Sequence, residues 1–261
     1  MAEMTALDRA HGAMNIAPED DAARLRFYER LADSELFLLL VAEPQGDNLE
    51  PELFEVEGGR FMLVFDREER LAEFTGQIAP YAALSGRAVS SMLAGQGIGL
   101  GLNLGVAPSE MLLPAEAVDW LAATLAHRPS EVEARPEEVL APHGLPEALL
   151  TALDAKLATA AGLARMAYLV AVRYEGNRPG HLLAFVDAAE GAEHALATAA
   201  GEALTFSGLE AGEMDVGFFA ASDPIAARLA KVGLRFDLPE PEHSDGPAAP
   251  GMDPRKPPRL R

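Results

Sequence analysis

Two pairs of carboxylates have a spacing that could serve acid–base chemistry. Asp66 and Glu69 stand three apart after the apolar run 60–65, and Asp187 and Glu190 repeat the interval after 182–186. An acid–base pair needs environments that push two carboxyl pKa values apart. The same interval also serves a helix start, where a carboxylate at the N-cap accepts an orphan N–H and an acid three residues on reaches back. Each pair sits between a strand pattern and a helix pattern, so capping is the expected role.

The next candidate is the glycine-rich stretch 96–105. Ile98, Leu100, Leu102 and Leu104 alternate with Gly97, Gly99, Gly101, Asn103 and Gly105. A dinucleotide loop starting at Gly97 would need glycine where Leu102 stands, and one starting at Gly99 would need it where Leu104 stands. No lysine follows to grip a phosphate. The period of two is that of a strand with one apolar and one bare face. A bare face implies close approach of something else: packed backbone, or the floor of a groove that takes a ligand or peptide. Gly99, Gly101 and Asn103 are the candidate residues for such a groove or interface.

A third candidate lies in the second half. Arg173 and Arg178 flank a turn and, with Tyr174, could hold an anion; the alternative is a solvent-facing pair that balances nearby acids. The six histidines form no H-E-x-x-H pair, and no G-x-S-x-G elbow occurs. The chain has no cysteine, which removes thiolate nucleophiles, disulfides, Fe–S clusters and cysteine zinc sites. No residue is assigned to catalysis, a cofactor or a metal, and the chain is expected not to be an enzyme.

The elements that would position these residues read as α+β: two α/β-type halves, each a small mixed or antiparallel sheet packed against helices. Helical patterns cover 3–16 and 19–32, with Pro18 in the first turn of the second. A buried strand at 35–41 follows. A Gly58-Gly59 hairpin joins strands at 53–57 and 60–65. Helices are expected from Asp66 to Gly76, from Ser85 to Gly95 and from Pro114 onward. Residues 1–128 form the first unit, and 129–146, rich in proline and acid, reads as a linker that includes a short strand at 130–134. The second unit, 147–237, opens with a helix lined by Leu149, Leu150, Leu153 and Leu157. It continues with strands at 165–174, 182–186 and 213–219, an alanine-rich helix, a helix capped by Asp223, and an edge strand at 234–236. Residues 238–261 are proline-rich and poor in aliphatics, so disorder is expected.

Acidic residues number 41 against 21 basic ones, for a formal net charge of −20. That field repels phosphate backbones and anionic headgroups, so neither nucleic acid nor membrane is an expected partner. The first eight residues carry Glu3 and Asp8 where a signal peptide wants basic residues, and the longest apolar run, 36–42, is too short to span a bilayer. A cytoplasmic location is expected.

Several stretches resemble the enhanced-serine-sensitivity (SseB-type) proteins. They are residues 27–31 leading to 35–39, the strand 61–66, Gly101-Leu102-Asn103-Leu104-Gly105, and Met111-Leu112-Leu113-Pro114. The second half resembles the family's C-terminal domain through 182–186 and 215–219 with Asp223-Pro224. The resemblance implies a non-catalytic regulatory or protein-interaction role with an unidentified protein partner. It also implies a link to serine sensitivity or to modulation of a sulfurtransferase. Without cysteine the chain carries no persulfide, so a sulfurtransferase link would run through a partner. The alternative is a small-molecule sensor or enzyme that uses the Gly97–Asn103 face for an amino-acid-like ligand.

Overall fold

The computed structural model describes residues 4–43, 49–56, 58–126, 136–208 and 214–240. The first half runs α1 (Ala6–Ile16), α2 (Asp21–Asp33), β1 (Glu35–Leu39), β2 (Leu53–Val56), β3 (Gly59–Phe65), α3 (Glu68–Thr75), β4 (Tyr81–Ser85), α4 (Gly86–Leu93), β5 (Ile98–Leu102), β6 (Met111–Leu113) and α5 (Ala115–Leu125). The second runs β7 (Glu138–Leu140), α6 (Glu147–Leu157), β8 (Ala164–Tyr174), β9 (Arg178–Ala188), α7 (Glu193–Phe206), β10 (Met214–Phe219), α8 (Pro224–Val232) and β11 (Leu234–Asp237). Each half is a mixed sheet packed against helices, as the pattern of elements predicts.

The first sheet has the order β4-β1-β3-β5-β6, with β2 also paired to β3. Its β3–β5 pair is parallel and sets Phe61 opposite Gly99 and Leu63 opposite Gly101. Alternation along β3 and β5 divides the core. Met62, Val64, Leu100 and Leu102 pack with Phe27, Leu31, Val89 and Leu121 of the helices. Leu63 and Phe65 face the other way and pack with Leu39 and Leu71 under α3. Ser85 caps α4 by accepting the Ala88 N–H, and Gly76 ends α3 with φ 65.

The second sheet runs β10-β9-β8-β11, with β7 also on β8. The β9–β10 pair is parallel and the β8–β9 hairpin antiparallel. One face packs on α6 and α7 through Leu153, Leu169, Phe185 and Leu196. The other packs on α8 through Val170, Ala184 and Leu229. Both halves therefore repeat one device: a hairpin whose second strand later gains a parallel neighbour.

Several expectations need revision. Residues 130–134 and 241–261, which carry the expected linker strand and most of the tail, lie outside the described residues, as does Glu57. Within the proline-rich segment, Glu138–Leu140 is a strand that pairs with Arg173, Val172 and Ala171. Leu238 is buried, and the Pro239 carbonyl accepts the Gly162 N–H, so the start of the tail segment packs on the body. The second helix starts later than Pro18 suggests, with Asp20 as its cap.

Both carboxylate caps are corrections. The residue at the N-cap of α3 is Arg67, with no side-chain cap bond, and that of α7 is Ala192, also without one. Asp66 sits one residue too early, and its carboxylate turns to Arg70 instead, at 2.6 Å. Asp187 adopts φ 53 and accepts the Ala221 N–H at 2.8 Å. Asp223 does occupy the N-cap of α8, but its carboxylate accepts the Ala220 N–H rather than a helical one. Local spacing locates these carboxylates at element junctions but not the donor each one takes: Asp66 takes Arg70 and the distant Thr5, Asp187 the distant Ala221, and Asp223 the nearby Ala220.

Candidate functional site

The four sequence candidates do not come together. Gly99, Gly101 and Asn103 lie on and after β5 in the first half, and Arg173 lies near the end of β8 in the second. Gly99 and Gly101 are buried. A Cβ on Gly99 would sit 2.5 Å from the Leu113 carbonyl oxygen and 2.6 Å from the Phe61 ring; one on Gly101 would sit 2.5 Å from a Leu63 methyl. The space above the bare face is therefore taken by cross-strand neighbours, with the Phe61 ring lying over Gly99.

Asn103 is fully buried, with φ 48. Its Oδ1 accepts the Asp66 N–H at 3.0 Å and its Nδ2 donates to Ser109 Oγ at 2.9 Å. Ser109 in turn donates to Asp8 Oδ1 at 2.6 Å. Arg70 lies between two carboxylates, with Nη2 2.5 Å from Asp8 and Nη1 2.6 Å from Asp66. Thr5 completes the set: its hydroxyl donates to Asp66 and accepts the Asp8 N–H, while its own N–H donates to Asp8. Burial alone would raise the Asp8 pKa; hydrogen bonds from Arg70, Ser109 and Thr5 outweigh that and hold it well below the usual carboxylate range. This network ties α1 to the exits of β3 and β5. A serine beside an aspartate looks like a nucleophile, but Ser109 has no exposed surface and its hydroxyl is held between Asn103 and Asp8.

A second buried charge group joins the halves. Lys156 of α6 places Nζ 2.7 Å from Asp33, 2.8 Å from Glu202 and 4.0 Å from Glu29. Arg87 of α4 pairs with Glu202 at 2.6 Å and approaches Asp33 at 3.4 Å. Burial pushes the Glu29 carboxyl up against the pull of Lys156 and Arg30, and among the described residues its Oε1 has no hydrogen-bond partner. Glu202 is desolvated as well, yet bonds from Arg87 and Lys156 bring it below its ordinary value. Beside this group Phe206 of α7 enters the first half's core, and Trp120 stands 5.1 Å from Tyr28 and 6.5 Å from Phe206, ring to ring.

Arg173 is half-exposed. Its Nε lies 3.5 Å from Glu138 and its Nη1 donates to Asn177 at 2.6 Å. It lines a depression of about 450 Å³ with Arg178, His143, His181 and Asp215. Tyr174 donates its hydroxyl to Asp215 at 2.6 Å, and burial together with that carboxylate pushes its pKa up. Sequence reasoning found Arg173, Arg178 and Tyr174 but missed Asp215 on β10, His143 between β7 and α6, and His181, three residues after Arg178 on β9. It also gave no role to Asp8, Arg70, Lys156 or Glu202, although Thr5 stands three residues before Asp8 and Asp66 four before Arg70; the partners of Lys156 and Glu202 are all distant in sequence.

Fold and geometry together describe a two-half α+β protein whose perturbed ionisable groups mostly serve as internal braces. Residues 11–120 match the family model for the SseB protein N-terminal domain. The match begins within α1 and ends at Trp120, so the N-terminal resemblance expected from the strand and turn patterns holds over that span. No curated protein and no solved structure matches the chain. Among the described residues no group of three or more His, Cys, Asp or Glu could hold a metal ion. No helix among them is long and apolar enough to cross a membrane.

Proposed function

We propose that this chain acts by binding rather than by catalysis, as a regulatory or protein-interaction protein of the SseB-like type. One observation carries the reading. Active sites gather perturbed ionisable groups in clefts, where they can meet a substrate. Here Asp8 and Arg70 are buried and paired with each other, and Glu202 is buried between Arg87 and Lys156. Their shifts come from holding elements together, and each carboxylate is already engaged by a cation. The N-terminal family match supports the same reading. A link to serine sensitivity or to a sulfurtransferase would then operate through a protein partner, because the chain has no cysteine to carry sulfur.

The test pairs two measurements on the full chain. Affinity capture from native lysate with mass spectrometry should return a stoichiometric protein partner whose complex re-forms from purified components. Incubation with a metabolite extract should show no substrate consumed. Turnover abolished by Ser109→Ala in a variant that still folds would overturn the proposal.

A further inference from the structure

We infer that the depression beside the β8–β9 turn is a binding site for a small molecule bearing an oxyanion group, a carboxylate or a phosphate. This goes beyond the proposed role in protein interaction and stands on separate residues. The protein carries a formal net charge of −20, yet among the described residues this depression is lined by two arginines against one carboxylate. Among the described residues no carboxylate lies within ion-pair distance of Arg178, and its guanidinium carbon lies 4.5 Å over the Tyr174 ring centroid. A ring face fixes a guanidinium without neutralising it and leaves its edge N–H groups free to donate.

Arg173 lines the same depression and is held in a different way. Asn177 and Glu138 fix its position from the rim, at 2.6 Å and 3.5 Å. Two guanidiniums anchored in advance lose little side-chain entropy when a ligand arrives. Planar forks of this kind suit carboxylate and phosphate oxygens.

The remaining lining groups set the polarity. Among the described residues Asp215 is the one carboxylate lining the depression, and its Oδ2 already accepts the Tyr174 hydroxyl. Its other oxygen is available to a donor on the same ligand, such as an ammonium or a hydroxyl. His181 Nε2 lies 3.2 Å from the His143 carbonyl, which fixes that ring at the edge of the depression. Gly180 lacks the Cβ that would sit 3.2 Å from the Tyr174 ring, so the turn closes tightly against the aromatic that carries Arg178. A volume of about 450 Å³ falls in the range of small-molecule sites, roughly 300–1,000 Å³.

The experiment is calorimetric titration of the full chain with inorganic phosphate and, separately, with succinate, against sodium chloride at matched ionic strength. At least one probe should bind saturably where chloride does not, and the tighter of the two identifies phosphate or carboxylate as the natural group. Arg178→Gln should weaken that probe at least tenfold, about 1.4 kcal/mol, with an unchanged melting curve, because the side chain is exposed. Arg173→Gln should weaken it as well. Arg235→Gln, at an arginine paired with Asp237 on β11, should leave binding as it was. Binding of neither probe above the chloride response, or equal binding by the Arg178→Gln chain, would overturn the inference.

Discussion

Adding one methyl group to each of three glycines should cost different amounts, in an order set by what the methyl meets. At Gly101 the new Cβ would meet a Leu63 methyl at 2.5 Å and Leu104 Cδ1 at 3.1 Å. Both are ends of flexible side chains that can rotate away. Overpacking costs about 1–3 kcal/mol, while alanine gains about 0.4–1 kcal/mol from a less disordered unfolded chain. Gly101→Ala should therefore lose about 1 kcal/mol or less. At Gly99 the Cβ would meet the Leu113 carbonyl oxygen at 2.5 Å and the Phe61 ring at 2.6 Å. That carbonyl belongs to β6, a strand of three residues whose pairing with β5 would have to give. Gly99→Ala should lose about 2–3 kcal/mol. At Gly86 the Cβ would overlap the Leu31 carbonyl oxygen, and neither helix end can move without losing the Gly86 N–H to Ser34 bond. That variant should be the worst of the three. Urea melts followed by the fluorescence of the single tryptophan, Trp120, measure all three. A Gly99→Ala loss no larger than that of Gly101→Ala would refute the reasoning, since backbone would then yield as easily as side chain.

Three further outcomes follow from the buried charges. Lys156→Met keeps the stem but strips Asp33 and Glu202 of a cation, and should lose about 3 kcal/mol in urea melts, the low end for breaking a buried pair because Arg87 remains; a loss below about 1 kcal/mol would show that the cluster does not hold the halves together. Asp8 has a depressed folded pKa, so its contribution is complete above its unfolded value of about 3.9 and is lost as the pH falls below that. Asp8→Asn should lose about 3–5 kcal/mol at neutral pH, and its stability should fall less steeply than the wild type's below pH ~4; parallel pH profiles would contradict the assignment. Glu29 has a raised folded pKa, so the folded chain keeps its proton more tightly and stability declines as pH rises through that value. Glu29→Gln should remove this decline, and its advantage over the wild type should grow as the pH rises above about 4.5; a constant difference would be the contrary result.

What was legible in the sequence was mainly local. The Ser85 cap and the Gly76 stop each depend on residues a few positions apart, and each forms where its pattern stands, while the expected hairpin forms with Gly59 already in β3, opposite Val56. The bare face of β5 was legible from its period, but the residues that close on it were not. Phe61 and Leu63 reach Gly99 and Gly101 because β3 and β5 pair in parallel, and no local signal states that pairing. The carboxylate spacing misled for the same reason. Asp66 would cap α3 if its nearest donors decided its partner, but Arg70 claims it, drawn into a network that includes Asp8, 62 positions before Arg70. The depression beside Arg173 was half visible: the hairpin carries both arginines and the tyrosine, while Asp215 comes from β10.

Phe206 belongs to the second half by sequence and to the first half's core by packing. Its consequence lies in the order of synthesis. The chain emerges from the ribosome N-terminus first, at roughly 5–20 residues per second. Phe206 follows Trp120 by roughly 85 residues, so it is made about 4–17 s after α5 is complete. For that interval the nascent first half must hold Trp120 and Tyr28 without the ring that later packs beside them. The first half can gather its sheet early but acquires its final core only when α7 arrives. A slow codon stretch between the two would lengthen the time this apolar surface spends open to chaperones.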